Sequence, residues 1–147
     1  MILRFCRGRP DTLETMHPAY FAMVMATGII AIATTLVGVP VLPTVLFWLN
    51  AVIFLVLLIA TGVRFVHYRE AFLADICSHS RGVGFFTIVA AFGIFGSELV
   101  IQMQAAAVAA ILWLVACASW FVVTYGILAL LTVKPVKPSL ADGLNGG

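Results

Sequence analysis

His17–Gly38, HPAYFAMVMATGIIAIATTLVG, decides the fold. It carries no charge between Pro18 and Gly38 and is long enough to cross a bilayer, which takes ~20 predominantly apolar residues. Ala19, Ala22, Ala26 and Ala33 fall on one side at helical spacing, with Gly28 near the centre. A helix surrounded only by lipid has no use for such a face, whereas one packed tightly among other helices, or lining a narrow path, does. Pro18 stands at the first helical position, where its missing N–H costs nothing. Three arginines precede the run, but it exceeds the ~7–15 residues of a signal-peptide core, and it reads as a retained span.

The remainder of the chain has the same character. Of its 147 residues 63% are hydrophobic and 10% charged, with a mean hydropathy of +1.16. Soluble domains carry about 25% charged residues, so this composition specifies an all-α integral membrane protein. Four transmembrane helices are expected, at about 18–37, 43–63, 83–101 and 105–131. They form two hairpins flanked by an arm at 1–16, a polar loop at 64–82 and a tail at 134–147. The fourth span is longer than a straight crossing needs and should tilt or protrude. In the loop, Phe65, Tyr68, Phe72, Leu73 and Ile76 recur at helical spacing, as in a short amphipathic helix on the membrane surface. Cys6, Cys77 and Cys117 are odd in number and far apart, and no disulfide framework is expected.

Charge sets the expected orientation. All eight Lys and Arg fall in the arm (Arg4, Arg7, Arg9), the loop (Arg64, Arg69, Arg81) or the tail (Lys134, Lys137). Four spans place these segments on one side, and the positive-inside rule makes that side cytoplasmic, with both termini there and the protein in the cell (plasma or inner) membrane. The odd spans are small and glycine-bearing, while the even ones are bulky and aromatic. This alternation suggests an inner layer of spans one and three and an outer layer of spans two and four.

At this point the residues resemble a known family. HPAYFAMVMATGIIAIA in the first span, RGVGFFTIVAAFGIFGSEL in the third and the tail KPSLADGLNGG are similar to the tellurite-resistance/dicarboxylate transporters. That family, within the slow anion channel superfamily, includes malate transporters, sulfite exporters and plant anion channels. The resemblance implies a ten-helix fold of five hairpins around a pore, with odd helices lining it, and passage of dicarboxylates, sulfite or small inorganic anions. It also implies lipid and small anions as partners, together with further helices or other copies, a homotrimer among the possibilities. Four helices cannot close a five-hairpin ring, so the chain is expected to be the N-terminal portion of a longer transporter, with the tail leading towards a fifth helix. The alternative is a non-transporting membrane fragment or a helix-packing partner subunit.

The candidate pore-lining residues are Thr27, Gly28 and Thr34 from the first span and Phe86, Ala90, Gly93 and Ser97 from the third. Small side chains let backbone dipoles and water approach an anion, although plain helix packing uses them equally well. Glu98 is the only acid within a span, close to its outer end. It is read as a rim acid, with proton coupling as the sharper alternative. Asn50, in a second span that looks bulky and lipid-facing, suits a helix-to-helix hydrogen bond worth on the order of 1 kcal/mol better than a pore role. Arg64, Arg69 and Arg81 are expected at lipid phosphates or at the cytoplasmic mouth, where they would concentrate anions. His67, Asp75, Cys77 and His79 match no compact metal-ligand pattern, and neither metal nor cofactor is expected. No nucleophile elbow, phosphate-binding glycine loop or HExxH is present, so no enzyme activity and no nucleic-acid partner is expected.

Overall fold

The structure is a computed structural model and describes residues 13–133. The tail expected to lead towards a fifth helix lies outside these residues, as does most of the N-terminal arm. Among the described residues all regular structure is helical, with four helices long and apolar enough to cross a membrane. A 3-10 turn, Pro18–Phe21, runs directly into α1 (Ala22–Val37). Then come α2 (Leu42–His67), two short loop helices α3 (Arg69–Cys77) and α4 (His79–Gly82), and the spans α5 (Phe85–Met103) and α6 (Ala106–Val133). α2 continues four residues past Val63, the end expected from sequence, and carries Arg64 as part of the helix.

Local chemistry fixes the ends. His17 caps the first turn: its Nδ1 accepts from the Ala19 N–H at 3.1 Å, while Pro18 supplies the fixed φ of a first helical residue. At the other end, Gly38 takes a left-handed φ of 78°, and its N–H closes onto Thr35 O. Glycine adopts this conformation without a Cβ penalty. The turn into α2 then passes through Val41 at φ 64°, a conformation that a β-branched residue adopts only at a cost in backbone strain.

α1 and α5 pack against each other, and each packs against its own hairpin partner, α2 and α6 respectively. The 3-10 turn and α1 together bury Phe21, Val24, Gly28 and Ala31, spaced three or four residues apart as one helix face requires. α2 contributes the aromatic centre of the bundle. The Phe54 ring stacks on Phe95 at 4.7 Å between centroids and meets Phe92 edge-on at 5.1 Å and Phe21 edge-on at 6.5 Å. Two turns further out, Phe47 stacks on Phe95 at 6.0 Å. Such pairs add roughly 0.5–1.5 kcal/mol each beyond area burial, which matters more in lipid, where helices gain nothing from leaving water.

Truncating Phe54 should therefore open a cavity bordered by three helices. Phe54→Ala is expected to lower unfolding free energy by about 3 kcal/mol, the low end for large-to-small core changes, because lipid removes the water-transfer part. Reversible unfolding in mixed micelles measures it, with Trp48→Ala, on the exposed face of α2, as the near-neutral control.

Candidate functional site

The buried face of α2 determines the site. Phe47, Asn50, Phe54 and Arg64 are buried along it, with Leu57 and Thr61 completing the stripe. A helix expected to face lipid thus turns one polar stripe inward. Asn50 and Glu98 are both 0% exposed, and the Asn50 Nδ2–H donates to Glu98 Oε2 across 2.5 Å. This is the helix-to-helix bond that suits Asn50. Its partner was not legible, because the two residues lie 48 positions apart. Glu98, expected at the rim, is enclosed between helices. Lone polar side chains on two neighbouring spans were the available signal, since in lipid each must find a partner.

Gly28 makes the meeting possible. A Cβ built there would lie 2.5 Å from Ile94 Cγ2, 2.9 Å from Asn50 Nδ2 and 3.2 Å from Glu98 Oε2. The absence of a side chain on α1 is what lets α2 and α5 join their polar groups against its backbone. Gly28, a candidate lining residue, is therefore placed in a packed three-helix contact. The other candidates differ from it. Thr27, Thr34, Phe86, Ala90 and Gly93 are partly exposed and Ser97 is exposed. A Cβ at Gly93 would meet nothing within 4 Å. Gly93 and Ser97 border a groove of about 350 Å³ with Gly96 on α5 and Ala106, Ala109 and Trp113 on α6. The hydroxyls of Thr34 and Ser97 fold back onto their own helices, donating to Ile30 O at 2.8 Å and Gly93 O at 3.0 Å. On α1, Ala22, Ala26 and Ala33 are exposed, so the small-residue face points away from the helices of this chain.

A second polar centre closes the loop side. Asp75 on α3 accepts from Arg64 Nη2 at 2.6 Å and from Arg81 Nη1 at 2.7 Å. The same guanidinium groups donate to backbone carbonyls of the arm, Arg64 to Glu14 O at 3.0 Å and Arg81 to Thr15 O at 2.8 Å. Arg64 is 1% exposed, so the expectation that it lies at lipid phosphates is corrected: its charge is consumed by Asp75 inside the protein. The sequence signal was its register, fourteen residues after Asn50 on the same helix face. Arg69 is exposed and lies 5.7 Å over the Phe65 ring.

The two longest stretches that carry the sequence resemblance also touch each other. Thr87 Oγ1 donates to Pro18 O at 3.1 Å, and a Cβ at Gly84 would come within 3.1 Å of Ala19 N. The glycines and threonine of RGVGFFT thus seat the third span against the HPAYF turn.

This arrangement is that of a multi-pass membrane protein with one buried polar pair between its spans and a buried ion network at one end of them. Comparison with known proteins assigns it further. The voltage-dependent anion channel family matches residues 15–144, and the chain belongs to that family. It is also similar to an uncharacterized transporter from Methanocaldococcus jannaschii, 31% identical over 80 residues. Those residues are 51% of this chain but 23% of the relative, so the match spans about a quarter of that protein's length. No solved structure matches the chain.

Two outcomes follow. Gly28→Ala gains about 1 kcal/mol of helix propensity but must displace Ile94 and the polar pair, an overpacking cost of about 1–3 kcal/mol. Gly28→Leu is expected to prevent assembly, whereas Gly93→Ala should leave thermal stability unchanged or raised. Asp75→Asn leaves the Arg64 charge buried without a counter-charge, and a loss of about 3–5 kcal/mol is expected. Arg81→Ala should cost less, because that side chain is 32% exposed. Thermal unfolding followed by circular dichroism orders all five variants.

Proposed function

We propose that the chain forms part of the wall of an anion pathway across the cell membrane, with the arm, the loop and the tail on the cytoplasmic side. The observation that carries this is the uncovered small-residue faces of the two mutually packed spans: Ala22, Ala26 and Ala33 on α1, Gly93 and Ser97 on α5. No acidic side chain lies on them, and membership of an anion channel family supplies the class of cargo. Thr27, Thr34, Phe86 and Ala90 belong to the same lining. The cargo is a small anion, in the range from chloride and sulfite to C4-dicarboxylates such as malate, and it passes by pore width and electrostatics without covalent chemistry. Further helices, or other copies of this chain, complete the ring of a ten-helix, five-hairpin pore.

The second reading, a membrane piece that only packs against partners, is favoured by the same open faces, since small residues also let helix backbones approach closely. Reconstitution into liposomes separates the two. Flux of chloride, sulfite and malate is measured for the chain and for Gly93→Leu. Because Gly93 has open space around it, the leucine should leave folding and membrane content intact and lower flux at least tenfold. Flux unaltered by Gly93→Leu overturns the pore assignment, and absence of flux for every anion overturns completion of the ring by other copies of this chain.

A further inference from the structure

The Glu98–Asn50 contact has more to it than helix-to-helix adhesion. Both side chains are fully buried, and each has one oxygen, Glu98 Oε1 and Asn50 Oδ1, with no hydrogen-bond partner. Among the described residues no cation reaches the carboxylate. α1 carries no titratable side chain and α5 no other than Glu98. α6 has Cys117 and Tyr125, both exposed, and α2 has only Arg64 and His67, fourteen or more residues from Asn50 towards the opposite end. Arg64 is moreover bound by Asp75. An ionisable group at this depth with no opposite charge marks a functional position rather than a structural one, since a salt bridge or an apolar residue would serve adhesion better.

Asparagine is the informative partner. Its amide presents two donors on one side and an acceptor on the other. With Nδ2 turned to Glu98, as in this structure, it donates to a carboxyl oxygen, the bond that an ionised carboxylate takes. Turned over, Oδ1 accepts from the O–H of a protonated carboxyl. Lysine or arginine at position 50 would hold Glu98 in its charged form, and leucine would leave it with no partner. An amide side chain serves both forms. Gly28 supplies the space on α1 in which the amide can turn.

We propose that Glu98 and Asn50 form a proton-binding site buried between α1, α2 and α5. One proton from water makes the O–H bond on Glu98; its release restores the carboxylate, and no other group changes charge. Because the pair is sealed from solvent, exchange requires α1, α2 and α5 to part, so proton occupancy is tied to the arrangement of these helices. Resting on the transport reading, this makes the site the point at which pH acts on anion passage.

The test has two arms, of which the first needs no transport. Infrared difference spectra of the protein in liposomes are recorded across a pH titration. A protonated-carboxyl C=O band is expected that rises as pH falls, shifts in heavy water, disappears in Glu98→Gln and changes frequency in Asn50→Ala. Glutamine is isosteric and can bond to Asn50 in either orientation, and unchanged circular dichroism verifies its fold. In the unmodified protein the heavy-water shift stands independently of any variant. A spectrum unaffected by Glu98→Gln overturns the site. In the second arm, anion flux across the same pH range should lose its pH dependence in Glu98→Gln. A pH profile shared by both proteins overturns the coupling. If no flux exists, completion of the ring by copies of this chain fails, and the infrared band alone decides the site.

Discussion

A polar side chain placed between lipid-embedded helices has no water to fall back on, so it must be matched by another from a different helix. Asn50 and Glu98 meet that requirement for each other, and much of the bundle is arranged around their contact. Gly28 must lack a side chain for α1 to sit over the pair. Phe54, Phe92 and Phe95 then form an apolar wall on its loop side and Phe47 stacks on Phe95 from beyond Asn50, bringing α2 within reach of α5. Neither hairpin could provide this alone: the amide belongs to the first and the carboxyl to the second.

The charges of the arm, loop and tail carry out two tasks. Their distribution, all eight basic residues in the arm, loop or tail, is what the positive-inside rule reads as orientation. Their geometry within the described residues is an ion network. Asp75 gathers Arg64 and Arg81, and these hold the carbonyls of Glu14 and Thr15. The arm is thereby fixed just before the His17 cap, at the entrance of the first span. A buried pair of this kind adds little net stability over an apolar replacement, but it is intolerant of losing one member. Its contribution is to specify where the loop and arm lie.

The spans themselves were legible because apolar length and the 3.6-residue repeat act locally. His17, Pro18 and Gly38 mark ends through chemistry that each residue carries with it. What the sequence could not give was pairing across spans. Asn50 was readable as a hydrogen-bonding residue from its type alone, but the identity of its partner depends on how two hairpins dock. For the same reason Gly28 and Gly93 looked equivalent as small residues near the centre of small-faced helices. One proves to be pressed against two polar side chains and the other faces open space. Arg64 was assigned to the loop because it is charged, yet the register of α2 continues through it and buries it. Where a local property determined the outcome, sequence sufficed; where docking determined it, chemistry narrowed the options without choosing among them.

The split of the polar pairs between hairpins has a consequence for how the chain enters the membrane. A ribosome delivers the first hairpin before the second. When α2 reaches lipid, Asn50 has no Glu98 and Arg64 has no Asp75, because both partners lie later in the chain. The first hairpin is thus a provisional structure, carrying an unmatched amide and an unmatched guanidinium until α3 and α5 are made. During that interval an insertase or chaperone contacting the open face of α2 would encounter the same stripe that α5 later covers. The nascent protein is most exposed to quality control between the synthesis of α2 and that of α5, and the arrival of Glu98 ends that exposure.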